Sequence, residues 1–372
     1  MSNKDRLTLL FLADTNAIHT LRWARWFSRQ GHDVHVASFN DIALDGYEGM
    51  GVSHLWSYRF GNNIIERALK FPIIMMRLRK LIAALKPDII HAHSVGGYSW
   101  FGALLGQDRL VVTPWGSDVN YHMKQSRFYH YIGKSSLMKA RLVTTDAEFL
   151  LPEFAELGVK PDNILLHSFG TDTTIFAPPK KRASIKTGKY TILSSRTLHP
   201  VHDVGTFIEA IPAVKARFPG TRFLVLADGA DRASLEARCA ELDITDCTSF
   251  TGFLSEAEIA DYLQQADIYV STSRNDAGLA SSTAEAMSAG LAVIHTKVSD
   301  NQKWVNDGDG GYSFDIGEAK QLTNAICRLL DNPQQIGEMG ARNRQKIIDD
   351  YNLDTEMQRI EAAYYSLSAP AE

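Results

Sequence analysis

Short runs of β-branched and leucine residues, each ending in a polar or glycine-bearing loop and followed by a segment of helical periodicity, recur along this chain in two series. Strand and helix in alternation specify a parallel sheet covered by helices, because a parallel neighbour is reached only through a crossover. The first series has strand candidates at Leu7 to Leu12, Asp33 to Ser38, Asp88 to His91, Leu110 to Thr113, Leu142 to Thr145 and Ile164 to His167. Between them, Ile18 to Arg29 puts Ile18, Leu21, Trp23, Trp26 and Phe27 on overlapping helical faces, and Ile64 to Leu85 is a longer helix interrupted or kinked at Pro72. A Pro-rich, then basic stretch, APPKKRASIKTG, breaks the pattern and reads as a linker. The second series resumes with strands at Tyr190 to Ser194, Arg222 to Leu226, Thr248 to Phe250, Ile268 to Val270 and Leu291 to His295. Its helices include Val204 to Arg217 and one opened by a Ser255/Glu258 capping box.

At 372 residues the chain exceeds one ordinary core. The expected division is 1–178, 179–350 and a C-terminal helix over 351–372, each of the first two a doubly wound, Rossmann-like α/β domain. Leu353 to Leu367 places Met357, Ile360, Tyr364 and Leu367 on one helical face, which is expected to pack back towards the first domain. Two such domains facing each other would place a ligand site at strand C-termini and at the interface between them.

A hydrophobic share of 45% with 22% charged residues belongs to a globular chain, and a net charge of −4 gives no nucleic-acid signal. The distribution is uneven: residues 1–178 hold 19 Lys and Arg against 16 Asp and Glu, the remainder 20 against 27. Cys239, Cys247 and Cys327 have no metal-type spacing and suit buried thiols in a reducing compartment. The N-terminal apolar run ends at Asp14, too short to span a bilayer and without a small-residue cleavage site. A cytoplasmic protein, able to associate with the inner face of the cytoplasmic membrane, is expected.

The stretch from Ser271 to Gly290, STSRNDAGLASSTAEAMSAG, has the strongest functional content. A strand ends in a polar loop, Gly278 and its small neighbours admit close backbone approach, and a short helix starts near Ser282 and stops at Gly290. Free N–H groups and the positive helix end attract an anion, while Glu285, about one turn in, can accept from a vicinal diol. That combination suits a nucleotide, diphosphate on the amides and ribose on the carboxylate. The stretch alone equally fits one more strand, loop and helix of an α/β sheet with Glu285 solvated. Arg196 ends the first strand of the second series, where an arginine suits bidentate phosphate recognition, with His199, His202 and Asp203 in the loop beyond. Gly229 permits the turn after the next strand, and Gly252, Phe253 and Leu254 offer backbone groups and an aromatic edge to a base, although core packing fits Phe253 at least as well.

In the first series, HAHSVGGYSW brings His93, Gly96 and Gly97 to a strand end, and TPWGSD brings Trp115 and Asp118 to another. No nucleophile elbow, Walker loop, HExxH or Asp-x-Asp clamp occurs, and His91 with His93 reads as a strand pair rather than a metal site. Two basic and apolar stretches, 59–86 (with Arg59, Phe60, Arg67, Arg77 and Lys80) and 124–141 (with Phe128, Tyr129, Tyr131 and Met138), fit interfacial contact with anionic lipid. They fit as well core-facing helices with a solvated basic face.

Taken together and in order, IHTLRWARWFSRQGHDVHV, FGTDTTIFAP, ILSSRTLHPVHDVGTFIEA, FLVLADGADRASLEARCAELDI, FTGFLSEAEIADYLQQADIYVSTSR and AEAMSAG resemble the retaining glycosyltransferases of the GT-B fold, the large family four, over nearly the whole chain. The resemblance implies transfer of a sugar from a nucleotide diphospho-sugar, a UDP-sugar foremost, to a saccharide or lipid-linked acceptor, with no cofactor and no required metal. It implies that Arg196 binds the diphosphate with His202 nearby, that Glu285 holds the ribose, that Gly278, Leu279, Ala280, Ser281 and Ser282 contact phosphates or sugar, and that Gly252 to Leu254 frame the base, with Gly229 also on the donor side. Arg196, Asp276 and Glu285 are the catalytic candidates; Asn16, His19, His93, Gly96, Gly97, Trp115 and Asp118 fall on the acceptor side.

Three positions depart from the family pattern. Ala277 stands where an acid is expected eight residues before Glu285, with Asp276 beside it; His202 stands near an expected lysine; Trp115 replaces a histidine. A nucleotide-sugar epimerase, which would need acid and base carboxylates around the sugar, and a non-catalytic nucleotide-sugar binding protein are the alternatives.

Overall fold

The computed structural model describes residues 6–39, 46–55, 64–105, 108–116, 118–180, 189–276 and 278–369, with only the backbone over 64–69. The chain forms two compact units, Met1–His167 with Met357–Glu372, and Ser168–Glu356.

Among the described residues of the first unit, seven parallel strands form one sheet: β1 (Thr8–Leu12), β2 (Asp33–Ser38), β3 (Gly51–His54), β4 (Ile89–His93), β5 (Leu110–Thr113), β6 (Leu142–Thr145) and β7 (Ile164–Leu166), in the order β3-β2-β1-β4-β5-β6-β7. In the second unit six parallel strands, β8 (Thr191–Ser194), β9 (Arg222–Val225), β10 (Thr248–Phe250), β11 (Ile268–Ser271), β12 (Ala292–Thr296) and β13 (Gly311–Phe314), run in the order β10-β9-β8-β11-β12-β13. Each sheet therefore reverses its direction of growth once, between β1 and β4 and between β8 and β11. Loops diverge at such a point and open a crevice at the strand C-termini.

The second sheet shows why these strands are near-continuous apolar runs. Ile192, Val225, Ile268, Val270 and Ile294 pack on one face with Phe207, Ile208, Ile211 and Val214 of the helix Val204–Arg217 and with Leu322, Ile326 and Leu329 of the helix Ala319–Asp331. The alternating partners Leu193, Tyr269 and Val293 pack on the other face with Leu263, Ala284, Met287 and Ile347. A period of two divided between two covered faces buries every strand position, as β11 and β12 are. Each large apolar side chain buried this way stabilises by about 1.5–3 kcal/mol.

The expected strands appear within two residues of their ends, but β3 and β13 were not anticipated. Both begin at glycine, which β-propensity counts against. At Gly311 an added Cβ would lie 1.6 Å from the carbonyl oxygen of Val293, so the missing side chain is what lets β13 lie along β12. Pro72 lies inside a helix that runs through Ile64–Leu85. The last helix, Leu353–Ser368, buries Met357, Ile360 and Tyr364; in the first unit Tyr364 stacks on Phe27 at 5.1 Å.

Candidate functional site

The β8 and β11 ends meet at the reversal point of the second sheet. Arg196, two residues past β8, donates from Nη2 to Asp276 Oδ1 at 2.5 Å and to His202 Nδ1 at 3.1 Å, and from Nη1 to Ser282 Oγ at 3.3 Å. Three sequence candidates, His202 from the loop of Arg196 itself and Asp276 and Ser282 from the segment past β11, thus converge on one guanidinium. Because Nη2 donates, His202 Nδ1 accepts and the ring proton sits on Nε2. Burial, reinforced by the Arg196 guanidinium, holds this imidazole down at about 4, so His202 is neutral near pH 7 and cannot supply a lysine's charge.

The helix Ser281–Ser288 begins beside this group. Its N-cap is Ala280, whose side chain makes no capping hydrogen bond to the first-turn amides. Ser282 Oγ accepts from Tyr269 Oη at 2.8 Å as well as from Arg196, which leaves its own O–H to donate outward. Glu285, inside the helix, is 6% exposed. Gly290, at φ 73°, ends the helix in the left-handed conformation that a Cβ disfavours. Leu279 is buried, and its carbonyl accepts from Tyr351 Oη at 3.2 Å, tying the loop to the core. Gly278 is buried on the same loop.

Gly229 and the β10 turn border the same end of the sheet. At Gly229 a Cβ would come 2.2 Å from the Leu198 carbonyl oxygen, so glycine is needed where the β8 and β9 loops touch. Leu198 N–H donates to Asp228 O and Asp231 N–H to Leu198 O, closing that contact. Past β10, Gly252 has φ 80°, Phe253 is 77% exposed and Leu254 is half-buried against the core.

The sequence reading missed the residues that brace this site. Asn301 Nδ2 donates to Asp276 Oδ2 at 3.1 Å, Ser299 Oγ donates to the Asp276 carbonyl, and Ser273 Oγ lies 3.2 Å from His202 Nδ1. Asn301 and Ser299 follow β12, the neighbour of β11, and the signal that pointed to them is position alone: polar residues just past a central strand.

In the first unit the reversal point lies between β1 and β4. Asn16 is exposed and bonded to Asp14, and His19 lies in the helix Ile18–Arg29 with its ring 4.9 Å from Trp115. His93 ends β4 between the rings of Trp23, at 5.1 Å, and Trp115, at 5.7 Å. Its Nδ1 is 3.5 Å from Thr20 Oγ1, and its Nε2 is buried without a hydrogen-bond partner. Burial holds His93 at about 3, and burial with the Arg22 guanidinium holds half-buried His19 at about 3. His91 is fully engaged, with Tyr364 Oη and Thr113 Oγ1 each at 2.5 Å. Gly96 is buried at φ 131° and Gly97 is exposed at the start of its helix. Asp118 is buried and accepts from the N–H groups of Val95, Trp115 and Val119 at 2.6, 3.0 and 3.0 Å, so its carboxylate joins the two loops to one another.

Ala277, Ser117, the linker residues 181–188 and residues 59–63 of the first basic stretch lie outside the described residues. Further along that stretch Ile74, Met75 and Leu78 are buried in the core, whereas the helix Arg127–Lys139 leaves Phe128, Tyr129, Tyr131 and Met138 exposed. Among the described residues no helix is long and apolar enough to cross a membrane, and no group of three or more His, Cys, Asp or Glu is placed to hold a metal ion.

Comparison with known proteins adds a lineage to this geometry. A family model described as glycosyl transferases group 1 matches residues 178–346, and one described as glycosyl transferase 4-like matches residues 8–147. The putative glycosyltransferase EpsD of Bacillus subtilis is 21% identical over 373 residues, 93% of each chain. The GDP-mannose-dependent alpha-(1-6)-phosphatidylinositol monomannoside mannosyltransferase of Mycolicibacterium smegmatis is 23% identical over 323 residues, 79% of this chain and 82% of its own. Among solved structures, Anabaena HepE in complex with UDP and glucose matches with a TM-score of 0.79 at 16% identity, covering 97% of this chain and 100% of that one.

Proposed function

The chain belongs to the group 1 glycosyltransferases and has the GT-B fold, and we propose that it moves a sugar from a nucleotide diphospho-sugar to a saccharide or lipid-linked saccharide with retention of anomeric configuration. The observation that carries this reading is the convergence of Arg196, Ser282 and the start of the helix Ser281–Ser288, which has no side-chain N-cap and holds Glu285 buried within it, at the reversal point of the second sheet. Cation, hydroxyl and amides make a diphosphate site; Glu285 is the ribose acceptor; exposed Phe253, beside Gly252 and Leu254, frames the base. Phosphate neutralisation falls to Arg196, since His202 is uncharged. A UDP-sugar is the first donor to test, as HepE is solved with UDP and glucose, and a GDP-sugar the second, as the mannosyltransferase depends on GDP-mannose.

During transfer, negative charge grows on the departing diphosphate, and donors fixed beforehand stabilise that charge without reorganising. The acceptor hydroxyl attacks from the face the diphosphate leaves, and its proton passes to the leaving phosphate. The acceptor belongs to the first unit, where His19, His93 and Trp115 offer ring faces and the buried Nε2 of His93 offers a hydrogen-bonding nitrogen. Contact with anionic lipid through 124–141, which would suit a lipid-linked acceptor, is supported by the exposed aromatics of the helix Arg127–Lys139.

The test is thermal stabilisation by UDP, GDP, ADP and CMP and their common sugar conjugates. A ligand at 100 times its dissociation constant adds about 2.7 kcal/mol to the unit that binds it. One diphosphate series should raise the transition, and Arg196→Ala and Glu285→Ala should each abolish or weaken the shift. A protein whose transition moves with none of them does not have this function.

A further inference from the structure

This inference rests on the nucleotide diphospho-sugar reading of the β8 and β11 ends, and it concerns the one acid of the loop between β11 and its helix. The side chain of Asp276 is 2% exposed. Its Oδ1 accepts from Arg196 Nη2 at 2.5 Å and its Oδ2 from Asn301 Nδ2 at 3.1 Å, while Asn301 also donates to Thr296 O at 3.3 Å. The backbone at Asp276 is held as well, by Ser299 Oγ on its carbonyl, with Ser299 at φ 47°. Both carboxylate oxygens are committed within the protein, and the side chain is closed to a sugar ring.

Arg196 is held in turn. Nη2 is occupied by Asp276 and His202, and Nη1 reaches Ser282 Oγ, yet Nε is buried with no hydrogen-bond partner among the described residues. A buried guanidinium N–H without a partner is costly unless a ligand completes it. A guanidinium is rigid and planar, so anchoring Nη2 fixes the direction of every other N–H.

We propose that Asp276 is a positioning residue: it clamps Arg196 through Nη2 so that the guanidinium keeps one orientation towards the donor phosphates, and it does not read the transferred sugar. The acid that neighbours Ala277 thus acts on the diphosphate through Arg196, and donor sugar selectivity lies with other groups. Clamping also offsets part of the arginine's charge, which trades ground-state attraction for a fixed orientation.

The test is calorimetric binding of UDP and UDP-glucose, and of GDP and GDP-mannose, to the full chain and to Asp276→Ala, Arg196→Ala and the double variant. For the series that binds, Asp276→Ala should change the dissociation constants of nucleotide and sugar conjugate by one common factor, about fivefold or more. That effect should vanish in the Arg196→Ala background, because the two residues act as one group. Asn301→Ala, which frees Oδ2 and leaves the Arg196 pair, should preserve the ratio of the two constants and carries the comparison should Asp276→Ala not fold. A loss confined to the sugar conjugate, or effects that multiply in the double variant as two independent structural defects would, overturns the proposal and leaves the donor site standing. Wild-type protein that binds neither series overturns both.

Discussion

Asp118 and Asp276 are buried aspartates just past strand ends, and a sequence gives no means of telling them apart. Asp118 accepts three backbone N–H groups from two loops of the first unit, so its role is to hold those loops, although burial pushes its carboxyl up against the pull of those donors. Asp276 bonds a side chain that has donors to spare. Removing Asp118 strands buried amides: Asp118→Ala should destabilise the first unit by about 3 kcal/mol, read as a fall in its melting temperature. An unchanged melting temperature would return Asp118 to the pool of ligand contacts. Glycines divide in the same way. Gly229 was placed on the donor side from the sequence, and the structure adds a physical requirement there, the Leu198 carbonyl lying where a Cβ would be.

Elements were more legible than side-chain roles. The Ser255 capping box opens the helix Glu256–Gln265 as expected, and Pro333 takes the first turn of the helix Pro333–Asp350, because local chemistry decides helix ends. The two basic and apolar stretches looked alike until packed. Ile74, Met75 and Leu78 turn into the core of the first unit, whereas the helix Arg127–Lys139 keeps Phe128, Tyr131 and Met138 outside, with Arg127 and Lys139 on the same element. Contact through this helix predicts that the protein co-sediments with vesicles containing anionic lipid and not with neutral ones, more weakly at high salt. Phe128→Ser with Tyr131→Ser should reduce binding about tenfold or more, since insertion scales with buried apolar area. Equal sedimentation of wild type and variant would rule the helix out.

For the whole molecule, the two units should respond differently to acid. His19, His91 and His93 are neutral in the first unit, burial holding His91 well below the ordinary range and His19 and His93 at about 3, while His202 is held at about 4 in the second. Each folded-state value lies below the unfolded value of about 6.5, so the unfolded chain takes up the proton first. The stability each contributes is complete above about pH 6.5 and falls by about 1.4 kcal/mol per pH unit as the pH drops towards the folded value. Three such histidines against one predict that the first unit's calorimetric transition falls about three times as steeply between pH 6.5 and 5. A nucleotide that binds at the proposed donor site would label the second unit's transition by raising it. A first-unit transition that does not move over this range would mean that His19, His91 and His93 are not held neutral.

Sequence alone determined that this chain makes two doubly wound parallel sheets, because alternation of apolar runs with helical periodicity is a local pattern that each segment carries by itself. It also singled out the strand ends where Arg196, His93 and Trp115 lie and the helix beyond β11 that carries Glu285, since such folds have one end open to ligands. Tertiary structure alone decided the edge strands β3 and β13, which depend on a glycine meeting a neighbouring backbone or side chain. It alone decided that Asp276 faces Arg196 and Asn301, residues 80 and 25 positions away. Hydrogen bonds between distant residues are set by where the strands deliver them, and a one-dimensional spacing carries no record of that.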